Sequence, residues 1–316
     1  MRNPQFLQLH HEDSAATRAE LAAGLLAAQP HVAPKFLYDA LGSRLFAAIT
    51  ELPEYYPTRI ERALFEAHRA EIAQALGTGH TPVDLGAGDG AKAATWFDAL
   101  APAAYVAVDI SVDYLREALA GLQRRFPQLP MLGLGLDFSA SLHLPAEAGS
   151  GSRLLFYPGS SIGNFTPEQA LAFLREARRE AWGGGLLIGV DLVKPKPVLD
   201  AAYDDPLQVT AAFNRNLLRR LNALLGTDAD VADFAHLAFY DEALQRIEMH
   251  LRATRDLTLR WPGGERHLAA GDTLHTENSY KYTVESFDAL LREAGFLAPR
   301  CWTDERAWFG VFAARA

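Results

Sequence analysis

Short apolar runs alternate with amphipathic segments along the middle of the chain. The apolar runs predict buried strands, and apolar residues at helical spacing predict the helices between them. A strand begins at Thr81, and further strands are predicted at residues 105–109, 131–136, 153–157 and 186–192, with helices at 91–100, 112–125 and 167–181. This alternation indicates an α/β fold, in which a mostly parallel sheet carries helices on both faces.

The pattern differs on both sides of this core. Helical spacing predicts helices at residues 15–29, 38–52, 59–76 and 200–225, and Thr58 with Glu61 has the spacing of a capping box for the third of them. Apolar and polar residues alternate over 238–261, which predicts antiparallel strands and a turn at residues 262–264. A strand at 274–282, a helix at 284–294 and a strand at 308–313 follow. We expect the chain to leave the α/β sheet near residue 194 and to return to it at the end.

Glycine is repeated at alternate positions directly after the strand that begins at Thr81. Gly86, Gly88 and Gly90 follow Asp84, and a helix is predicted next. Glycine permits backbone angles that are closed to other residues and lets a ligand lie against the main chain. In an open α/β sheet a nucleotide binds at such a strand-to-helix turn.

Two nucleotide cofactors compete for this turn. Gly86, Gly88 and Ala91 satisfy the G-x-G-x-x-G/A fingerprint of dinucleotide binding. Asp84 with the three glycines also fills the [D/E]-x-G-x-G-x-G motif of class I S-adenosylmethionine methyltransferases. A pyrophosphate is negatively charged and is repelled by nearby carboxylates such as Asp84 and Asp89. The sulfonium and amino groups of S-adenosylmethionine are cationic and are compatible with both residues. The motif therefore favours S-adenosylmethionine, and a nicotinamide-dependent oxidoreductase remains the alternative.

Polar residues follow the next strands as well. Asp109 ends the second strand, where a carboxylate can accept both ribose hydroxyls of an adenosine, or can simply cap a helix. Asp137 and Phe138 follow the third strand and suit the amino group and the ring of adenine. Lys92 can reach the carboxylate of S-adenosylmethionine or lie in solvent.

The loop after the fourth strand runs from Gly159 to Asn164. In this fold it lies beside the methyl group of the cofactor. The amide of Asn164 offers a donor and an acceptor at one place. It can hold an amine lone pair toward the sulfonium, or it can merely shape a tight turn.

Composition excludes several classes of function. The net charge of −9 disfavours nucleic acid, which calls for a basic face. No apolar run reaches the length of a membrane span, and the chain begins without an apolar signal core. The single cysteine, Cys301, excludes internal disulfides and a cysteine-built zinc site, and no other metal motif occurs. We expect a cytoplasmic protein, a monomer, with no metal.

Further motifs occur together and in order along the chain. The set closely resembles the histidine Nα-methyltransferases of ergothioneine biosynthesis from about Tyr38 to Trp302, and PEYYPTR and GSSIGN are its specific parts. The motifs are Tyr38-Asp39 with Gly42-Ser43, Pro53-Glu-Tyr-Tyr-Pro-Thr58, Gly159-Ser-Ser-Ile-Gly-Asn164, Asp191-Leu-Val-Lys194, Ala202-Tyr-Asp-Asp-Pro206, Phe213-Asn-Arg-Asn216, Arg246-Ile-Glu-Met249 and Trp302-Thr-Asp304.

The resemblance implies a two-domain enzyme that trimethylates the α-amino group of L-histidine to hercynine. It implies that Asn164 and Tyr203 hold the amino and carboxylate groups and that Tyr38 lies near the amine and the methyl donor. Tyr55, Glu277 and Ser279 would read the imidazole. The pocket would be lined by Thr210, Phe46, Phe213 and Met249, and the cofactor would be held by Gly86, Lys92, Asp109, Asp137 and Phe138.

The expected domains follow from these assignments. Residues 1–58 are expected to form the N-terminal part of a smaller α+β substrate domain, and residues 194–281 its inserted main part. Residues 59–193 are expected to form the Rossmann-like domain that binds S-adenosylmethionine, completed by residues 282–316.

The residue chemistry of the predicted strand 274–282 agrees with this substrate. Alternation along a strand places Glu277 and Ser279 on one face, where a carboxylate accepts an imidazole N–H and a hydroxyl serves the other nitrogen. Asn278 and Tyr280 depart from the family, in which smaller or apolar residues are usual, and we expect both to face away from Glu277. Tryptophan is a rival substrate that Glu277 disfavours, and a non-catalytic binding module is a further alternative.

Overall fold

The computed structural model describes residues 2–10, 14–110 and 112–316. Its helices are α1 (Ser14–Leu26), α2 (Ala40–Ile49), α3 (Pro57–Ala67), α4 (Arg69–Leu76), α5 (Ala91–Ala94), α6 (Phe97–Leu100), α7 (Val112–Arg125), α8 (Pro167–Glu180), α9 (Lys196–Tyr203), α10 (Val209–Leu225) and α11 (Val284–Glu293). Its strands are β1 (Gln5–Gln8), β2 (Thr81–Leu85), β3 (Tyr105–Asp109), β4 (Met131–Gly135), β5 (Arg153–Tyr157), β6 (Gly185–Asp191), β7 (Phe234–Asp241), β8 (Arg246–Ala253), β9 (Leu257–Trp261), β10 (Gly264–Leu268), β11 (Thr273–Tyr280), β12 (Leu297–Thr303) and β13 (Phe309–Arg315).

The chain divides into two compact units, each built from separate stretches of sequence. The first unit comprises Met1–His11, Arg59–Leu192 and Tyr282–Ala316, and the second comprises Glu12–Thr58 and Val193–Lys281. Among the residues that the structure describes, no helix is both long and apolar enough to cross a membrane.

The first unit contains an eight-stranded sheet in the order β1-β4-β3-β2-β5-β6-β13-β12. The six strands from β1 to β6 pair in parallel, and β13 runs antiparallel between β6 and β12. Every residue of β2, β4 and β6 is buried, as expected when helices cover both faces of a sheet. Along β3, Val106 and Val108 join the apolar core on one face, and Tyr105 and Ala107 join the core on the other.

This sheet reverses its strand order at β2. β2 pairs with β3 on one side and with β5 on the other, and the chain reaches β5 only after adding β3 and β4. Ligands of open α/β sheets bind at the carboxyl end of such a switch point. The glycine turn after β2 therefore lies where a nucleotide is expected.

The N-terminal strand β1 corrects the expected domain division. Residues 1–58 are expected in the substrate domain, but β1 pairs in parallel with β4 and belongs to the first unit. The ring of Phe6 lies where Gly133 has no side chain, since a Cβ there would be 2.6 Å from Phe6 Cδ1. A four-residue, half-exposed strand carries too little alternation to be recognised from sequence.

The second unit packs helices with antiparallel strands. Its three-stranded sheet has the order β11-β8-β7, and β9 with β10 forms a hairpin around Pro262-Gly263. Asp39 caps α2 by accepting a hydrogen bond from Gly42 N–H at 2.7 Å, and it accepts another from Asn216 of α10 at 2.8 Å. One carboxylate thus orders the start of α2 and joins α2 to α10.

Three segments that the sequence predicts as single helices each contain two helices in the structure. Residues 59–76 break at His68, between α3 and α4, and residues 91–100 form the short helices α5 and α6. Residues 200–225 break after Tyr203 because Asp205 is buried and accepts hydrogen bonds from the N–H groups of Val209 and Thr210. These bonds satisfy the first donors of α10 and start a new helix. Strand β12 has no counterpart in the sequence prediction.

Candidate active site

The glycine turn after β2 uses a backbone that favours glycine at all three positions. Gly86, Gly88 and Gly90 have φ angles of 73°, 56° and 67°. A Cβ at Gly90 would lie 2.7 Å from Leu122 Cδ1, whereas a Cβ at Gly88 would meet no atom within 4 Å. Gly90 is thus required by packing, and Gly88 leaves the main chain open to a ligand.

Asp84 is buried beneath this turn. Its Oδ2 accepts a hydrogen bond from the hydroxyl of Tyr105 at 2.7 Å, and only 3% of Asp84 is exposed. Burial raises the pKa of the Asp84 carboxyl to about 7. The structure therefore gives Asp84 a partner inside the protein and a role in shaping the turn.

The carboxyl ends of β3 and β4 bring the expected cofactor residues to the same turn. Asp109 Oδ2 lies 3.4 Å from the backbone nitrogen of Gly88. The ring of Phe138 lies beside Gly86, with its Cζ 3.9 Å from where a Cβ would be, and it packs edge-on against Tyr157. Asp137 precedes Phe138 and accepts a hydrogen bond from Ser139 N–H. A nucleoside at this turn would find carboxylates and a ring within one small region.

Glu61 joins the glycine turn to the loop after β5, a role that the sequence did not predict. Its Oε2 lies 2.6 Å from Lys92 Nζ, and its Oε1 accepts a hydrogen bond from Gly159 N–H at 2.7 Å. Glu61 is 1% exposed, so it does not cap a helix with Thr58 as expected. The absence of a side chain at Gly189 makes room for it, since a Cβ there would lie 2.1 Å from Oε1. Such a long-range contact has no local sequence signal.

Asn164 ends the 3-10 turn Ser161–Asn164 that follows Gly159. Its side chain is half-buried and makes no hydrogen bond to another described residue. Both its donor and its acceptor therefore stay available to a ligand of the first unit.

Aromatic rings gather in the second unit, as the expected histidine pocket requires. The ring of Phe46 on α2 packs against Tyr38, Tyr55 and Phe213, with centroids 5.6, 6.1 and 6.0 Å away. Tyr55 also contacts Tyr203 edge-on at 6.3 Å. Five expected substrate residues thus form one cluster.

Strand β11 presents the polar part of this unit. Glu277 pairs with Met249 of β8, and Ser279 pairs with Ile247, so these side chains share one face of the sheet. Asn278 and Tyr280 pair with Glu248 and Arg246 on the opposite face. The expectation that the two family departures face away from Glu277 is confirmed. Thr210, on α10, is buried in the same unit.

Glu277 is a buried carboxyl with an open acceptor. It is 7% exposed, and its Oε2 has no hydrogen-bond partner among the described residues. Burial raises its pKa to about 7, and the positive charge of Lys281 opposes that rise. An unpartnered buried oxygen is costly, so this position calls for a ligand that brings a donor.

Lys281 is a buried residue that the sequence analysis missed. Its Nζ lies 2.7 Å from Ser279 Oγ and 3.1 Å from the Tyr203 hydroxyl, and Tyr203 donates to Ser279 at 2.8 Å. Lysine is rarely buried without partners. Two-residue alternation from Glu277 through Ser279 to Lys281 was the signal that could have found it.

The opposite face of the sheet holds a polar network. Ligand-type atoms of Glu248, His250 and His275 lie within 4.8 Å of one another, a grouping that linear motifs did not predict. Glu248 already accepts from Arg246 and lies 2.8 Å from His250 Nε2, and His275 Nε2 lies 3.0 Å from Asn278 Oδ1. Glu248 is bonded on both oxygens, the Nδ1 of His250 is buried without a partner among the described residues, and the guanidinium supplies the positive charge beside Glu248.

Comparison with known proteins identifies the family. The profile of the histidine-specific, S-adenosylmethionine-dependent methyltransferases matches residues 17–316. This chain belongs to that family. Histidine N-alpha-methyltransferases from Mycolicibacterium smegmatis and Mycobacterium tuberculosis are 40% and 38% identical to it, over 95% and 94% of both chains. Ergothioneine biosynthesis protein 1 from Neurospora crassa is 30% identical over 84% of this chain and 31% of its own length.

Family membership decides between the two cofactors. The histidine methyltransferase described here has the class I methyltransferase fold and uses S-adenosylmethionine as its methyl donor. The dinucleotide interpretation of the glycine turn is therefore wrong.

Proposed function

We propose that this methyltransferase transfers three methyl groups in succession to the α-amino nitrogen of L-histidine and so forms hercynine. The observation that carries the proposal is the open Oε2 of Glu277, buried on a strand face of a unit that is rich in aromatic rings. The imidazole side chain of histidine has the size of an aromatic ring and carries an N–H that can donate to this oxygen.

Recognition of the imidazole falls to β11 in this proposal. Glu277 accepts the ring N–H, Ser279 serves the second nitrogen, and Tyr55 adds a hydroxyl beside them. The rings of Phe46 and Phe213, together with Met249 and Thr210, would line the apolar part of the pocket.

The reaction requires a neutral amine held on the axis of the breaking S–CH₃ bond. S-adenosylmethionine supplies the methyl group, which the nitrogen lone pair takes up while the S–C bonding electrons stay on sulfur. Asn164 would hold the amine through its amide. The resemblance assigns the carboxylate to Tyr203, but the only O–H of Tyr203 donates to Ser279 at 2.8 Å, so Tyr203 would line the amino-acid pocket without donating to the carboxylate. Such positioning can supply about 7–11 kcal/mol of barrier reduction.

Each transfer makes the nitrogen bulkier, and the third leaves it permanently cationic. The face of an aromatic ring attracts a cation by about 0.5–2 kcal/mol. Tyr38, a residue that is 41% exposed, is the one we assign to this task. In the first unit, Gly86, Gly88, Gly90 and Gly159 would give main-chain contacts to the methyl donor, with Asp109, Asp137, Phe138 and Lys92 as its side-chain partners.

Mass spectrometry of L-histidine incubated with the purified enzyme and S-adenosylmethionine tests the proposal. We expect mass additions of one, two and three methyl groups, with the trimethylated product accumulating. Tryptophan serves as the parallel substrate, and a reaction without enzyme serves as the blank. Methylation that stops after one transfer, falls on the ring, or prefers tryptophan would contradict it.

A further inference from the structure

Lys281 lies at the base of the predicted imidazole site and belongs to none of the roles assigned above. It is 2% exposed, and its ammonium group contacts the oxygen atoms of Ser279 and Tyr203. These two residues are themselves 4% and 8% exposed, so the three polar groups form a buried triangle. Which of these groups donate hydrogen bonds and which accept them determines whether Ser279 can donate to a ligand or accept from it.

An ammonium group can only donate hydrogen bonds. Ser279 Oγ accepts one from Lys281 at 2.7 Å and one from the hydroxyl of Tyr203 at 2.8 Å. The phenol is the more acidic of the two hydroxyls, with an ordinary pKa of about 10, so Tyr203 donates and the serine oxygen accepts. A hydroxyl oxygen has two acceptor positions. Both are occupied at Ser279, which leaves only its own O–H.

Glu277 is the complement of this donor on the same strand face. Its open Oε2 accepts, and the positive charge of Lys281 favours the ionised carboxylate. A neutral imidazole has one N–H and one bare nitrogen and matches this pair, whereas an imidazolium has two N–H groups. One N–H of an imidazolium would point at the Ser279 O–H. An indole, with a single N–H, would leave that O–H without an acceptor.

The remaining groups near the triangle do not reverse this polarity. Tyr203 from α9 is a further titratable group of the triangle, and the ring of Tyr55 lies against that of Tyr203. The paired strand β8 presents Ile247 and Met249 on this face and its charged residues on the other.

We propose that Lys281 fixes Ser279 as a hydrogen-bond donor and that the enzyme thereby selects the neutral imidazole ring of its substrate. Lys281 is thus a positioning residue that acts through Ser279 and does not touch the substrate. The proposal rests on the proposed function, because it takes histidine as the ligand of this face.

The number of protons released when histidine binds at pH 5.5 tests this proposal. It is measured by calorimetry in buffers of different ionisation enthalpy, with the enzyme saturated with S-adenosylhomocysteine. Free histidine is mostly protonated on the ring at this pH. The Glu277 carboxyl, whose pKa is raised to about 7, is mostly protonated at this pH and gives up its own proton in either protein when it accepts the ring N–H. Wild type must also release the ring proton of histidine, so Lys281→Met should release about one proton fewer, because Ser279 can then turn and accept. By linkage, the logarithm of the histidine binding constant should rise more steeply with pH for wild type than for Lys281→Met. The difference between the two slopes should be about one unit per pH unit.

Two further variants keep the result interpretable. Ser279→Asp retains Lys281 and replaces the donor with an acceptor for the second N–H, so it should also release about one proton fewer, and it decides the matter if Lys281→Met does not fold. Lys196→Met removes a partly exposed lysine of the same unit, bound to Asp200, and should match wild type. Equal proton release by wild type and Lys281→Met, or by wild type and Ser279→Asp if Lys281→Met does not fold, would overturn the proposal. Failure of wild type to bind histidine at all would instead overturn the proposed function.

Discussion

Two buried carboxyl groups, one in each unit, have pKa values raised to about 7 by burial, yet they differ in their partners. Asp84 accepts the hydroxyl of Tyr105, whereas Glu277 has an oxygen with no partner in the described chain. Burial alone therefore does not mark a binding residue. In this pair, the carboxyl that accepts from Tyr105 shapes the glycine turn, and the carboxyl with an open oxygen is the one that can take a donor from a ligand.

The same distinction separates other residues of the molecule. Asn164 makes no side-chain hydrogen bond to another described residue, as expected of a ligand-binding group, whereas Glu248 is fully engaged with Arg246 and His250. We expect substitutions at Asn164 to change activity and substitutions at Glu248 to change stability.

The largest effect is expected at Asn164. Asn164→Ala removes the amide that we assign to the amine, and misplacement of a reacting group by about 1 Å can cost 10²-fold in rate. We therefore expect single-turnover methylation to slow about 100-fold or more while the affinity for S-adenosylmethionine stays near wild type. A near-normal rate, measured by rapid quench alongside a cofactor titration, would remove Asn164 from the reaction.

Glu277→Ala should have the next largest effect. Loss of a buried partner leaves the substrate N–H unpaired and costs about 1–3 kcal/mol, which is about one to two powers of ten in kcat/KM for histidine. Discrimination against tryptophan should relax at the same time. The measurement is kcat/KM for both substrates, and an unchanged ratio between them would show that Glu277 does not read the ring.

The partnered carboxyl should behave differently. The folded-state pKa of Asp84 is raised above its ordinary value, so its contribution to stability is present below about pH 4 and is lost as pH rises to about 7. Asp84→Asn keeps an acceptor for Tyr105 and cannot ionise. We expect its thermal midpoint to fall less than that of wild type between pH 5 and pH 7.5, with histidine affinity unchanged. Parallel stability curves for the two proteins would contradict this account.

The predictability of the fold from sequence follows the same division. The glycine turn, β3 and β5 were found because cofactor binding by backbone shape requires local residue types at fixed spacing. Three features were not predicted: the place of β1 in the first unit, the bonds of Glu61 to Lys92 and Gly159, and the buried Lys281. Each depends on contacts between residues far apart in sequence or on a single residue with no pattern of its own.

The smallest effect is expected from removing metal ions. Glu248, His250 and His275 have the donor atoms of a metal site, but Arg246 already places a positive charge on Glu248, and the network supplies hydrogen bonds to each member. A divalent cation would have to displace or repel that guanidinium. We therefore expect dialysis against EDTA to leave kcat/KM for histidine and the thermal midpoint unchanged, and Zn²⁺ added afterwards to restore nothing. Arg246→Met is the sharper control, because it removes the competing charge while Glu248 and both histidines remain. If EDTA lowers the thermal midpoint of wild type and Zn²⁺ restores it, the network is a metal site, and the ion pair of Glu248 with Arg246 does not prevent metal binding on this face.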